Sequence, residues 1–248
     1  MNTTTRFLGA TALLLVLAAC GGGGGSSGPS PVTPPPADPT PTGTTTRELV
    51  AFVNDGGHTT ELDAGVTRRT RGFIQDGQNG TVAVDRVAGT DIGLVQYRLG
   101  DDVFIYRLTG EPVASMSMPS GIYNGPLDMN YRMDGDANWA VMAGQVNLAL
   151  DFETGEIAIG GMATDRNHSI ELFGDAQIVD NQFTDTNTTL RLRNAGRGGT
   201  LIRDEVGTVR GMAVSHEGNQ AIFGLVDAMN DDNGFRVRGG FTATLDQD

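Results

Sequence analysis

The chain has 248 residues, and its 30 acidic side chains outnumber its 17 basic ones, which gives a formal net charge of −13. Nucleic-acid surfaces and polybasic membrane patches both need clustered cations. This composition therefore argues against a nucleic-acid-binding protein and against electrostatic docking on anionic lipid.

The first residues predict an export signal. Arg6 is the only charge before an apolar run over residues 7–17, which is shorter than the roughly 20 residues that a membrane span requires. The run leads into Leu17-Ala18-Ala19, directly ahead of Cys20, the only cysteine of the chain. This ending resembles the lipobox of bacterial lipoproteins, whose cysteine is acylated with palmitate-type chains and becomes the first residue after cleavage. The alternative is an ordinary secretory signal with an incidental cysteine.

Residues 1–19 are thus the predicted signal peptide, and Cys20 is the predicted lipid attachment site. The lipoprotein resemblance also implies sorting to the outer membrane of a Gram-negative bacterium, because Gly21 rather than aspartate follows the cysteine. With Cys20 acylated no thiol is left for a disulfide, so we expect the fold to depend on packing alone.

Residues 20–46 predict a disordered tether. Gly21–Gly25 favours a flexible coil, and the proline-rich stretch Pro29–Pro41 favours polyproline II. A flexible chain of this length reaches roughly 25–30 Å, enough to lift a folded domain away from a lipid surface. The alternative for the proline-rich stretch is a ligand of a proline-binding module.

The rest of the chain has the period-two pattern of β-strands. Residues 145–152 place Val146, Leu148, Leu150 and Phe152 on one face, and residues 190–193 alternate leucine with outward-facing arginine. Turn dipeptides such as Asn-Gly and Asp-Gly separate the short strands, as in antiparallel sheets. Because no apolar stretch after residue 20 has helical periodicity, a doubly wound α/β fold is excluded.

We therefore predict an all-β protein whose C-terminal part, residues 119–248, is an eight-stranded antiparallel β-barrel. Closing eight strands on themselves removes the exposed sheet edges. Residues 47–118 predict a smaller, irregular, handle-like β region with one clear hairpin, Ile92–Leu99 and Val103–Leu108, turning at Gly100-Asp101. The predicted barrel strands are 120–134, 137–152, 155–164, 168–179, 182–193, 206–215, 220–229 and 235–245.

Several short motifs give the C-terminal half a family resemblance. Tyr123 ahead of Gly125, followed later by residues 150–155 (Leu-Asp-Phe-Glu-Thr-Gly), is similar to a repeated pattern of the transferrin-binding protein B-like surface lipoproteins. Residues 207–211, 221–224 and 238–243, the last of which is Arg-Gly-Gly-Phe-Thr-Ala, resemble that family's ending. The resemblance covers residues 120–248 by motif and 47–118 by position.

That resemblance implies a handle domain beside an eight-stranded barrel, in a surface lipoprotein of binding type. The chain departs from the transferrin-binding members in having room for one lobe rather than two, and in its short loops. The family's recurring motifs belong to the barrel scaffold, so no binding residue is carried over, and the resemblance does not imply transferrin as the partner.

We expect no metal and no cofactor. Residues 134–138 begin like a calcium loop, but Trp139 and Gln145 replace the glycine and glutamate that such a loop needs, so a hairpin turn is the better interpretation. The acidic cluster at Asp227 and residues 230–234 predicts a solvated hairpin tip. The three histidines, which lack the spacing of zinc or haem ligands and are predicted to be exposed, are His58, His168 and His216.

We also expect no enzymatic activity, because neither a Gly-x-Ser-x-Gly motif nor a free thiol is present; the remote alternative is a hydrolase with a pair of carboxylates, which the sequence does not distinguish from surface charge. The cationic run over residues 68–71 predicts a solvated loop, with an acidic partner as the alternative. Apolar loop tips are predicted at Ile122-Tyr123 and at Met229. Trp139 and several methionines predict core packing, with an adaptable binding surface as the alternative; the methionines are Met116, Met118, Met129, Met133 and Met142.

Two functions follow from these features. The first is an outer-membrane lipoprotein that binds an extracellular ligand or protein, for instance in iron or nutrient acquisition. The second is a structural lipoprotein that supports another outer-membrane protein and has no soluble ligand.

Overall fold

The computed structural model describes residues 58–63, 66–75, 77–87, 90, 92–101, 103–110, 118–195, 199–230 and 234–246. The predicted signal peptide, Cys20 and the tether lie outside these residues. The described part of the chain consists of strands joined by turns, and it holds no helix of the length and apolarity that crossing a membrane requires. The all-β prediction is confirmed.

The first five strands form an antiparallel sheet in the order β1-β2-β3-β4-β5, here called the N-terminal sheet. The predicted hairpin is β4–β5, and Gly100 takes the positive φ of 58° that its tight turn requires. The strands are β1 (His58–Asp63), β2 (Val66–Gln75), β3 (Gln78–Val87), β4 (Gly93–Leu99) and β5 (Val103–Thr109).

The other eight strands close into a barrel in the order β10-β11-β12-β13-β6-β7-β8-β9, with every neighbouring pair antiparallel. The barrel prediction is confirmed. The strands are β6 (Gly121–Arg132), β7 (Ala140–Asp151), β8 (Glu156–Thr164), β9 (His168–Val179), β10 (Gln182–Asn194), β11 (Leu201–His216), β12 (Asn219–Asn230) and β13 (Phe235–Leu245).

One barrel strand begins earlier than the sequence pattern predicts. β11 starts at Leu201 rather than at residue 206, because Leu201 pairs with Arg193 across an irregularity in the β10–β11 register. The first residues of β11, Leu-Ile-Arg-Asp-Glu, do not alternate apolar with polar, so the pattern gave no signal there.

The barrel interior is filled by side chains from all eight strands. Leu127, Leu148, Leu172 and Phe241 are fully buried in one continuous apolar cluster. An eight-stranded barrel is just narrow enough for side chains to fill it. The barrel is therefore a packed scaffold, and a partner would have to contact its outer wall or its loops.

The N-terminal sheet packs against the outside of the barrel. Leu94 of β4 and Ile92 just before that strand share an apolar cluster with Phe223 and Leu225, which point outward from β12. Gly240 permits this approach, because a Cβ atom there would lie 3.0 Å from side-chain carbons of both Leu94 and Tyr106. The double glycine of the family-like ending thus has a packing role.

Candidate functional site

A groove of about 870 Å³ lies on the outer wall of the barrel, beside the turns that join β7 to β8 and β9 to β10. Concave sites of this size are the usual location of ligand binding in proteins. Strands β6 to β10 all contribute to its lining. The groove is on the barrel itself and needs no residue of the N-terminal sheet.

Small side chains make the floor of the groove. Ala149 of β7 pairs with Ile122 of β6 on one side and with Ala158 of β8 on the other, and Ala158 in turn pairs with Asp175 of β9. Paired residues point to the same face of an antiparallel sheet, so these four form one outward-facing row. Because the side chains of the two alanines are small, an open space remains between the bulkier side chains on either side of them.

Carboxylates surround this floor. Asp151, Glu156 and Asp175 are exposed in the groove, and none of them forms an ion pair with a described residue. The next part of the wall is different, since Glu171 is paired with Arg193 at 3.1 Å and Asp204 with Arg191 at 3.2 Å. The groove therefore carries unneutralised negative charge, while the wall beside it is balanced.

Asp185 holds the end of the groove in place. Only 8% of this residue is exposed. Its carboxylate accepts hydrogen bonds from the backbone N–H of Asn187 at 2.8 Å, from the Thr188 hydroxyl at 2.7 Å and from the backbone N–H of Asp175 at 3.3 Å. These bonds bridge the place where the β9–β10 register shifts between Phe183 and Thr189.

Gly174 is required at this bridge. A Cβ atom there would lie 2.4 Å from Oδ2 of Asp185 and 2.9 Å from the Thr188 hydroxyl oxygen. Because Gly174 has no side chain, the Asp185 carboxylate of β10 can reach the backbone N–H of Asp175 on β9. Apart from Ile122, which was predicted as an apolar tip, sequence reasoning missed this site, because its residues come together only through the register of five strands.

The predicted cationic run lies in strand β2, so the prediction of a solvated loop is wrong. The alternation of β2 turns Arg68 toward the barrel, where its guanidinium lies 3.4 Å from Asp85 and 3.7 Å from Asp128. The side chains of Arg69 and Arg71 lie outside the described part. Cys20, the predicted lipid attachment site, lies outside it as well.

The histidines do not come together. His168 is only 23% exposed in its side chain, which corrects the prediction of an exposed residue, and its Nδ1 lies 2.6 Å from the Tyr131 hydroxyl at the other end of the barrel from the groove. Burial, with a further contribution from Asp165, raises the pKa of Tyr131. His216 is 40% exposed beside Glu217, and the side chain of His58 is outside the described part. Among the described residues no three potential ligands are placed to hold a metal ion.

The core prediction for the methionines is confirmed for those inside the described residues. Met118, Met129 and Met142 are buried in the barrel core, and Met133 packs against it; Met116 lies outside the described part. Trp139 is buried too, at 9% exposure, but not in the barrel core. It lies outside the barrel, with its ring centroid 6.4 Å from that of Phe104 of the N-terminal sheet and 5.4 Å from the guanidinium carbons of both Arg132 and Arg238.

The predicted apolar tips are partly wrong. Ile122 is 48% exposed, but it lines the groove from within strand β6 rather than from a loop tip. Tyr123 is fully buried because neighbouring strand residues point to opposite faces, and burial raises the pKa of its hydroxyl to about 12. Met229 is 41% exposed near the end of β12.

The first acidic segment lies at a barrel turn, whereas Asp227 of the second lies within a strand rather than at a hairpin tip. Residues 134–138 form the connection between β6 and β7, in which the carboxylate of Asp136 accepts a hydrogen bond from the backbone N–H of Met133 at 2.9 Å. Asp227 is exposed on β12, where it pairs with Arg238 of β13. Residues 231–233, the centre of the second cluster, lie outside the described part.

Comparison with known proteins gives a result for solved structures alone. No family model and no curated protein matches the sequence. The chain is similar to a double mutant of transferrin binding protein B, a vaccine antigen from Haemophilus parasuis Hp5, with 16% identity and a TM-score of 0.44 over 75% of this chain and 41% of that one. It is also similar to a single mutant of the same protein, with 16% identity and a TM-score of 0.47 over 78% of this chain and 43% of that one.

The chain thus spans less than half of the structures it matches. At 16% identity the likeness concerns the fold alone. The family resemblance predicted an eight-stranded barrel with a smaller sheet beside it, and this is the architecture of the chain. At the level of fold that prediction is confirmed.

Proposed function

We propose that this protein is a binding module, held at the outside of a Gram-negative outer membrane by lipid on Cys20 and contacting its partner through the acidic groove. The groove is the observation that carries the proposal. It is concave, it has a floor of small side chains, and its carboxylates have no partner cation among the described residues.

The sequence supplies the rest of the support. The lipobox-like ending before Cys20 supports lipid attachment at that residue, and the composition of residues 21–46 predicts a reach of roughly 25–30 Å. The filled interior leaves the outer wall and the loops as the surfaces for recognition. In the two similar structures the protein is named for binding transferrin, which agrees with a binding role here and leaves the partner and any part in iron acquisition to experiment.

Two alanines on one strand give a matched test. Ala149 lies on the groove floor, whereas Ala143 is exposed on the same face of β7 outside the groove lining. Ala149→Arg fills the groove and reverses its charge locally, and Ala143→Arg adds the same side chain elsewhere. Proteins captured by the wild type from extracellular fluid should be lost with Ala149→Arg and retained with Ala143→Arg.

Other outcomes contradict the proposal. If both variants capture the same proteins as the wild type, the groove is not the contact surface. If the purified protein captures nothing from such fluid but co-purifies with a second outer-membrane protein, the structural function is the correct one.

A further inference from the structure

A row of polar contacts joins the N-terminal sheet to the barrel. Gln96 of β4 donates a hydrogen bond to Asp128 of β6 at 3.1 Å, and Tyr106 of β5 donates to the side-chain oxygen of Asn130, also on β6. Arg68 of β2 lies 3.7 Å from Asp128. Strands β2, β4 and β5 thus each place a side chain in this row, which we call the joint, and β3 adds Asp85.

Asp85 of β3 is the most buried member of the joint. It is 2% exposed, and its Oδ2 accepts a hydrogen bond from the Thr242 hydroxyl of β13 at 3.2 Å. Its Oδ1 has no hydrogen-bond donor, although the Arg68 guanidinium lies 3.4 Å away. A buried carboxylate with one oxygen that accepts no hydrogen bond is costly while it is charged.

The charges of the joint do not balance when both carboxylates are ionised. Arg68 is shared between Asp85 and Asp128, so one positive charge faces two negative ones. Tyr106 is the other titratable group of the row, and burial keeps it neutral by raising its pKa. Arg98 lies two residues beyond Gln96 on β4, beside Phe104, and Arg238, the β13 residue paired with Asn130, lies beside Trp139.

We propose that the joint is a proton-controlled contact, in which protonation of Asp85 tightens the docking of the N-terminal sheet on the barrel and its loss loosens that docking. The proton removes the unpaired negative charge. Arg68 then keeps Asp128 as its partner, and the Thr242 hydroxyl still has an oxygen to which it donates. Undocking exposes Asp85 to water, where the ionised form is favoured again.

The direction and the range of the effect follow from linkage. Burial raises the pKa of Asp85 from 3.8 to about 6, against the opposing effect of Arg68 and the Thr242 hydrogen bond and with a small addition from Asp128. The equilibrium constant for undocking should therefore be lowest below pH 4, rise between pH 4 and 6, and level off above that. If the whole shift arises from docking, the rise is on the order of 100-fold.

Trp139 reports on the joint without any label. It is the only tryptophan of the chain, and it lies between Phe104 of the N-terminal sheet and the barrel arginines. Its fluorescence in the purified, detergent-solubilised full chain should show a transition between pH 4 and pH 6, where the undocking constant rises. Amide hydrogen exchange, corrected for the pH dependence of the intrinsic exchange rate, should accelerate over the same pH range in β3 to β5. The corrected exchange rates in β7 to β9 should not change.

Three variants decide the assignment. Asp85→Asn should abolish the transition, and Asp204→Asn, which changes an exposed carboxylate of the outer wall, should leave it intact. Asp128→Asn should lower its midpoint, because Arg68 is then committed to Asp85 and a repulsive charge is gone. This third variant also serves if Asp85→Asn does not fold.

The proposal does not depend on the identity of any partner. A transition that persists in Asp85→Asn, or a midpoint that does not move in Asp128→Asn, would overturn it. Absence of a transition in the wild type would do the same. None of these results bears on the groove, so the failure of one proposal can be told from the failure of the other.

Discussion

The ring of Phe241 lies directly over Gly224, its paired residue on the neighbouring barrel strand. A Cβ atom at Gly224 would be 2.0 Å from Cζ of Phe241, which is far inside contact distance. The same arrangement recurs where Phe183 covers Gly211, with a closest distance of 2.3 Å. These glycines make room for aromatic rings that fill the barrel.

Gly224→Ala should therefore destabilise the fold by about 2 kcal/mol, because the Phe241 ring must leave its position in the packed core. Gly72→Ala is the matched control, since a Cβ atom there makes only an ordinary contact at 3.8 Å. Urea unfolding followed by circular dichroism measures both. Equal stabilities of the two variants would show that the ring does not depend on the glycine.

Removal of the Asp185 carboxylate should loosen the end of the groove. Asp185→Ala leaves three donors without their acceptor, at Asp175, Asn187 and Thr188, and should cost about 2–4 kcal/mol. Amide exchange at Asp175 and Asn187 should accelerate, while exchange in β12 stays slow. Unchanged protection at those two amides would contradict the role given to Asp185.

The pH dependence of global stability has a sign fixed by Asp85. Because the pKa of this carboxyl is raised on folding, from 3.8 to about 6, the group favours the folded state at low pH and opposes it increasingly as pH rises through this window. Relative to Asp85→Asn, the wild type should lose about 2 kcal/mol between pH 4 and pH 6.5. The measurement is the free energy of unfolding in urea as a function of pH. If this free energy changes equally with pH in the two proteins, the role given to Asp85 is refuted.

The barrel strands could be predicted from the sequence because apolar and polar residues alternate along a half-buried strand. Leu148 and Leu150 are buried while Ala149 between them is exposed, as the alternation requires. The β4–β5 hairpin was predicted for the same reason, helped by the glycine at its turn.

The groove and the joint were not accessible in this way. The pairing of Ala158 with Asp175 depends on the β8–β9 register, and the burial of Asp85 depends on where one sheet docks on another. Neither is encoded in a local pattern. Tyr123 was predicted to be exposed together with its neighbour Ile122. Because adjacent strand residues point to opposite faces, Ile122 lies on the surface and Tyr123 lies in the core.

Lipid attachment predicts a simple fractionation result. Cys20→Ser removes the only thiol of the chain and should release the protein from membranes into the soluble fraction. Metabolic labelling with a fatty-acid analogue should mark the wild type alone. Continued membrane association of the variant would contradict attachment through Cys20.

Display of the barrel outside the cell is the claim on which the binding function depends, and protease treatment of intact cells tests it most directly. Permeabilised cells serve as the control for susceptibility, and a periplasmic protein serves as the control for intact membranes. We expect cleavage of this protein in intact cells. Protection until the outer membrane is opened would place the barrel in the periplasm and contradict the account.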